Sequence, residues 1–187
     1  MFKKILFATL LTVATVLTGS AQKFKPSPDF LKGEKQINLV FDYNQVKFDG
    51  DSQEKYYKEK DQLWIEEWEG KRRDGNASSF RGSINDELRK LDVNAGIYPE
   101  AQYTIIVDVV DCDFGAFSGP FSVPAKLTCT VKIVKTGTTE ILTSITVKES
   151  QNPYTLAGTP IDFDRMYLAF GEVGEEIGEI LVKVLKK

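Results

Sequence analysis

Apolar and polar residues alternate along several stretches of the chain, and this two-residue period predicts β-strands. The first stretch is residues 36–43, and the others come after residue 100. An Ile- and Val-rich stretch covers residues 101–114, and alternation follows at 126–135 and 140–149. Because Gly137 lies between the last two in a sequence typical of a tight hairpin, we expect these three strands to form an antiparallel meander.

Other stretches repeat apolar residues every three or four positions, which is the period of an amphipathic helix. One helix is predicted over residues 52–72, because the segment from Asp51 to Glu54 has the spacing of a capping box. Residues 74–76 should end it, and a second helix is predicted over 76–91. A long helix is predicted over 160–187. Three glycines are expected to let this last helix pack closely on the sheet: Gly171, Gly174 and Gly178.

The order of these elements predicts an α+β fold with a single mixed four-stranded sheet. The order is strand, helix, helix, three-strand meander, helix. Helices packed on one face of the sheet would bury all the apolar stripes in one core. Residues 36–187 are therefore expected to form a single domain. Residues 22–35, which contain two prolines, are expected to form an N-terminal arm or linker.

Residues 1–21 have the character of a secretory signal peptide. Two lysines near the start precede an apolar stretch, residues 5–17, that is too short to span a membrane comfortably. We expect cleavage between Ala21 and Gln22 and a periplasmic or secreted bacterial protein. Residues 17–20, Leu-Thr-Gly-Ser, resemble a lipobox in which serine replaces the lipidated cysteine, so no stable membrane anchor is expected.

The element order, the secretion signal and the near-lipobox together resemble one group of bacterial envelope proteins. The chain is similar to the TolB amino-terminal domain, whose plan is strand, helix, three strands, helix, and to uncharacterised secreted α/β domains. The resemblance covers most of residues 36–187, and the second predicted helix departs from the plan. It implies a role beside other envelope proteins that assist outer-membrane assemblies, and it assigns no functional residue.

The chain contains no histidine, which excludes Ser-His-Asp triads, Cys-His pairs and His-ligated metal sites. Without residues 1–21 the net charge is −5, from 22 basic and 27 acidic residues, so we expect no nucleic-acid partner. Phosphate-binding glycine loops and dinucleotide fingerprints are also missing from the sequence. We therefore predict a non-enzymatic protein with no cofactor and no metal, as a monomer or weak homodimer.

Two cysteines, Cys112 and Cys129, lie on neighbouring predicted strands, and an exported protein can form disulfides. If residues 115–125 form a long connection between the strands, the two cysteines lie almost opposite each other, within disulfide reach. A tighter hairpin would place them a diagonal apart, as small core residues. The sequence leaves both arrangements open.

Three aspartates crowd the end of the strand predicted at 101–114: Asp108, Asp111 and Asp113. Such carboxylates can bind Ca²⁺ or act as an acid/base pair. A solvated strand end is the interpretation we favour, because a calcium loop needs more oxygen ligands at closer spacing. A carboxylate-based hydrolase is therefore our third functional hypothesis.

Aromatic residues supply the other two hypotheses. Phe114, Phe117 and Phe121 lie in a Gly- and Pro-rich segment, where they either close the core or form a contact surface. With such a surface, the protein would be an interaction module for an envelope partner, which is our leading hypothesis. Trp64 and Trp68 lie one helical turn apart and are either core anchors or a binding platform. A platform would suit a small molecule or glycan, which is the alternative hypothesis.

Overall fold

A mixed β-sheet with helices on one face organises the computed structural model, which describes residues 23–118, 121–151 and 161–187. Nine strands lie in these residues: β1 (Gln36–Asp42), β2 (Lys47–Phe48), β3 (Asp51–Ser52), β4 (Asn94–Gly96), β5 (Tyr103–Asp113), β6 (Ala116–Ser118), β7 (Phe121–Val123), β8 (Lys126–Lys135) and β9 (Ile141–Ser150). Seven belong to the main sheet, and β6 and β7 pair separately. The α+β class is confirmed, but the prediction of four strands is wrong because β2, β3 and β4 are too short to show a period.

The meander predicted at the end of the sheet is confirmed. β5 pairs antiparallel with β8, and β8 pairs antiparallel with β9. On its other side β5 pairs in parallel with β1, and β1 pairs in parallel with β4. β2 runs parallel to β5 just beyond the end of β1. The long crossover from β1 to β5 contains most of the helices, which places them over the sheet.

Four α-helices are described: α1 (Gln53–Tyr57), α2 (Gln62–Glu67), α3 (Arg73–Leu88) and α4 (Asp162–Leu185). The single helix predicted over 52–72 is wrong, because Asp61 starts a new helix by accepting a hydrogen bond from the Trp64 amide at 2.8 Å. A π-helical turn, Trp68–Arg72, then joins α2 to α3, with Gly70 outside helical geometry. Residues 74–76 therefore begin α3 and do not end a helix.

The core lies between the sheet and the pair α3 and α4. Ile105, Val107 and Val109 of β5 are fully buried, whereas the residues between them are only half-buried. The N-terminal arm packs against this core, with Phe24 and Leu31 buried and Lys25 bridged to Ser144 of β9. Within the described ranges, none of the helices combines the length and the apolar character that a membrane crossing requires.

The glycines of α4 face α3, which corrects the prediction that they pack against the sheet. A Cβ at Gly171 would lie 2.9 Å from the Ser79 hydroxyl, and one at Gly178 would lie 2.7 Å from Glu87 Cβ. A Cβ at Gly174 would overlap the Phe80 carbonyl. The sequence period could not distinguish these partners, because a glycine face permits close approach to any neighbouring backbone.

Acidic residues on the outer side of α4 disfavour the ionised form of one carboxyl group, that of Glu176, at neutral pH. Burial raises the pKa of Glu176, and the neighbouring carboxylates of Glu172 and Glu179 raise it further. The folded protein therefore binds the proton of the Glu176 carboxyl group more tightly than the unfolded chain does. The contribution of Glu176 favours folding most at pH values below its ordinary pKa, 4.5, and is lost as pH rises through the raised pKa.

Glu176→Gln is therefore expected to raise the melting temperature at pH 7 by about 1–2 °C, because it removes the charge and leaves the shape of the side chain unchanged. The difference between the two proteins should disappear near pH 3. Thermal unfolding followed by circular dichroism at both pH values checks this. Glu175→Gln on the exposed side of the same helix is the matched control, and an equal rise there would contradict the explanation.

Candidate functional site

A cluster of aromatic rings packs together where β5 ends. Neighbouring ring centroids lie 5.1 to 6.4 Å apart. The cluster unites residues that are distant in sequence, because β2, α1, α2, the π-helical turn, the end of β5 and the start of α4 all meet here. Its members are Phe48, Tyr56, Tyr57, Trp64, Trp68, Phe114 and Phe163.

Most of the predicted binding residues belong to this cluster and support the fold from inside. Trp68 is fully buried and Phe114 is 3% exposed, so neither presents surface to a ligand or partner. Trp64 is half-buried, stacked on Trp68 at 6.1 Å. Phe117 lies apart from the cluster, on β6, and is 42% exposed. The side chain of Phe121 lies outside what the structure describes.

A cleft of about 500 Å³, the α3–α4 cleft, opens beside the cluster. Phe163 and Tyr167 form one wall, because residues four apart on a helix project from the same side. The opposite wall comes from the end of α2, the π-helical turn and the first turn of α3. The lining residues are Glu67, Lys71, Arg72, Gly75, Asn76, Phe163, Asp164 and Tyr167.

Arg72 connects the two walls of the α3–α4 cleft. Its Nε donates to Glu67 Oε1 at 2.8 Å, and its Nη1 donates to Asp164 Oδ1 at 3.4 Å. The guanidinium carbon also lies 4.8 Å from the centre of the Phe163 ring. These contacts place the carboxylates of Glu67 and Asp164 beside one cation.

Asn76 contributes a buried amide to the α3–α4 cleft. The residue is only 2% exposed, and its Nδ2 has no hydrogen-bond partner among the described residues. An amide left unpaired in this way costs about 1–3 kcal/mol. Native proteins usually satisfy such groups with water or with a ligand. Asn76 is therefore the lining residue that points most directly to a missing partner.

This cleft was not predicted from the sequence. Neither Asn76 nor Arg72 was among the candidate binding residues. The four-residue spacing of Phe163 and Tyr167 is visible in the sequence, but it indicates a shared helix face and nothing more. Only the approach of α3 to α4 brings these residues together.

The three aspartates considered as a possible metal or acid/base group each support local structure. Asp108 forms an ion pair with Lys132 at 2.7 Å. Asp111 accepts from the Gly50 amide at 3.2 Å, and Asp113 accepts from the Gly115 amide at 2.8 Å. No group of three His, Cys, Asp or Glu side chains in the described ranges is arranged to hold a metal ion.

The two cysteines are free and buried, so the structure has no disulfide between them, a point that the sequence left open. A bulge between Val109 and Asp111 shifts the register, so that Cys129 pairs with Val109 and Cys112 pairs with Leu127. The thiols therefore lie a diagonal apart, as small core residues. Burial raises the pKa of Cys129 to about 12 and raises the pKa of Cys112 as well.

Neither thiol should react with Ellman's reagent in the native protein, because each is buried and protonated. After denaturation without reductant, both thiols of each chain should react. Absorbance of the released thionitrobenzoate measures both states. Fewer than two reactive thiols in the denatured, non-reduced protein would show that a disulfide forms after all.

Comparison with known proteins adds little to this description of the site. No protein-family model and no curated protein matches the sequence. Among solved structures, the chain is similar to the PelC dodecamer from Paraburkholderia phytofirmans, with 8% identity, a TM-score of 0.40, and coverage of 76% of this chain and 88% of that chain. A point variant of that PelC gives 8% identity and a TM-score of 0.36, over 78% and 87% of the two chains. TM-scores this low do not establish a common fold.

Proposed function

We propose that this protein is an exported, non-enzymatic binding protein and that the α3–α4 cleft holds a small molecule. The unpartnered amide of Asn76 carries the proposal, because a ligand atom in the cleft would supply the acceptor that the described residues lack. Nδ2 is inaccessible to solvent as placed, and binding would require a half-turn of the carboxamide that exchanges Nδ2 with Oδ1 about its soft terminal torsion. Export is proposed from the character of residues 1–21.

The form of the cleft supports this proposal. Its volume of about 500 Å³ lies in the range of small-molecule sites. Tyr167 is 46% exposed and offers a free ring face, while Phe163 anchors the same wall in the aromatic cluster. Arg72 holds two carboxylates in place across the opening.

The proposal is tested by monitoring fragment binding to the ¹⁵N-labelled protein with nuclear magnetic resonance. The probe is a library of neutral, cationic and anionic fragments. We expect at least one fragment to shift the side-chain amide signal of Asn76 together with the backbone signals of Tyr167. Asn76→Ala should abolish binding of that fragment without lowering the melting temperature, since it removes an unpaired buried group.

Ile97→Ala is the matched control, because Ile97 is 77% exposed and does not line this cleft. It should leave fragment binding unchanged. A screen in which no fragment shifts the cleft signals, or in which Asn76→Ala binds as the original protein does, would overturn the proposal.

Recognition of an envelope protein is a second candidate function, favoured by the hairpin of β6 and β7. Phe117 and Val123 are 42% and 50% exposed on this hairpin, which pairs outside the main sheet. A photocrosslinking amino acid at Phe117 should capture one discrete partner in the envelope of the producing cell. The same group at Ile97 should capture none, and equal capture at both positions would contradict a specific contact.

A further inference from the structure

Charge in the α3–α4 cleft disfavours a charged ligand. Two carboxylates, Glu67 and Asp164, face two cations, Lys71 and Arg72, so the lining is neutral as a whole. The donors of Arg72 already point to the two carboxylates. An anionic ligand would meet these carboxylates as well as the cations, and a cationic ligand would meet Arg72 and Lys71 as well as the carboxylates. Like charges held at such short range weaken binding.

The polar atoms of the cleft favour a ligand that both donates and accepts hydrogen bonds. Arg72 contacts one oxygen of Glu67 and one oxygen of Asp164, and the other oxygen of each carboxylate has no hydrogen bond within the described part of the chain. These oxygens can accept from hydroxyl groups. Asn76 Nδ2 and Lys71 Nζ can donate to oxygen atoms. A purely apolar ligand would use none of these four groups.

The aromatic wall adds one apolar surface to this polar lining. The exposed face of Tyr167 lies one helical turn from Phe163, which closes the wall behind it. A flat apolar face on the ligand would cover the Tyr167 ring and remove it from water. The cleft therefore combines one aromatic face with acceptors and donors around it.

We infer that the ligand of the α3–α4 cleft is an uncharged sugar unit, because a sugar ring joins an apolar face to hydroxyl groups and carries no charge. The ring would stack on Tyr167. Its hydroxyls would donate to Glu67 and Asp164, and one of its oxygens would accept from Asn76. This inference rests on the proposed function of the cleft and names the class of ligand for it.

Related sugars with and without a charged group test the inference. The neutral probes are glucose, galactose, mannose, N-acetylglucosamine and the disaccharides cellobiose and chitobiose. Glucosamine and glucose-6-phosphate are the charged counterparts. Each is titrated into the ¹⁵N-labelled protein while the side-chain amide of Asn76 and the backbone signals of Tyr167 are followed. At least one neutral probe should bind at the cleft, and the charged counterparts should bind about tenfold more weakly.

Two variants separate stacking from hydrogen bonding. Tyr167→Ala should weaken binding of the neutral sugar about fivefold, whereas Tyr167→Phe should retain it because the ring face remains. Ile97→Ala should leave it unchanged. If fragments bind the cleft but no neutral sugar does, or if a charged analogue binds more tightly, the sugar inference fails and the proposed function stands. If neither fragments nor sugars bind there, both fail.

Discussion

Gly174→Ala is expected to lower the free energy of unfolding by about 2–3 kcal/mol. The added methyl group would overlap the backbone carbonyl of Phe80, which cannot turn aside because it belongs to α3. α3 and α4 would have to separate, and the buried side chains Phe80, Ile84 and Phe170 would lose contacts. Urea unfolding followed by circular dichroism measures the change.

Gly82→Ala makes the same chemical change at an exposed position of α3. No atom lies within 4 Å of a Cβ built there. This variant should gain about 0.5–1 kcal/mol, because alanine is the better helix former. The two substitutions should therefore have opposite signs. If Gly174→Ala also stabilised the protein, the close approach of α3 and α4 would be contradicted.

Trp68→Ala is expected to lower the free energy of unfolding by about 3–5 kcal/mol. The indole is fully buried and packs edge-on against Phe48 and Phe114, at 5.3 and 5.5 Å. Removing it would leave a large cavity beneath Phe163, which forms part of the cleft wall. The same variant should therefore also weaken any ligand that binds the α3–α4 cleft.

Two further variants show whether burial is the cause. Trp68→Phe should cost no more than about 2 kcal/mol, because it keeps one ring and removes an indole N–H that has no partner among the described residues. Trp64→Ala should cost less than Trp68→Ala, since Trp64 is only half-buried. Equal losses for Trp64→Ala and Trp68→Ala would contradict the difference in their burial. Urea unfolding again provides the measurement.

The regular parts of the fold follow from local sequence patterns. The strands β8 and β9 and the helix α4 lie within two residues of their predicted bounds. In each of these segments, many alternating or helically spaced residues indicate the same element with the same bounds. The interrupted stretch from α1 to α3 differs from its prediction. There a single side chain, Asp61, and the non-helical Gly70 determine where one helix stops and the next begins. A period taken over many residues does not detect such single positions.

The candidate site depends on contacts between distant parts of the chain. Arg72 and Asp164 are 92 positions apart and meet only because α4 returns across the start of α3. The same is true of Trp68 and Phe114, each of which the sequence left open as a core residue or as part of a binding surface, and which pack in one cluster. Register also depends on tertiary structure, since one bulge in β5 separates the cysteines.

The amino-acid sequence by itself determined the α+β class, the antiparallel meander and the long last helix, because these depend on interactions between residues close in the chain. It also excluded chemistry that needs histidine. Tertiary structure alone decided that Trp68 and Phe114 are buried, that the glycines of α4 face α3, and that Asn76 lies unpaired in a cleft. These features arise where elements pack, and packing between distant segments has no short period that a sequence can display.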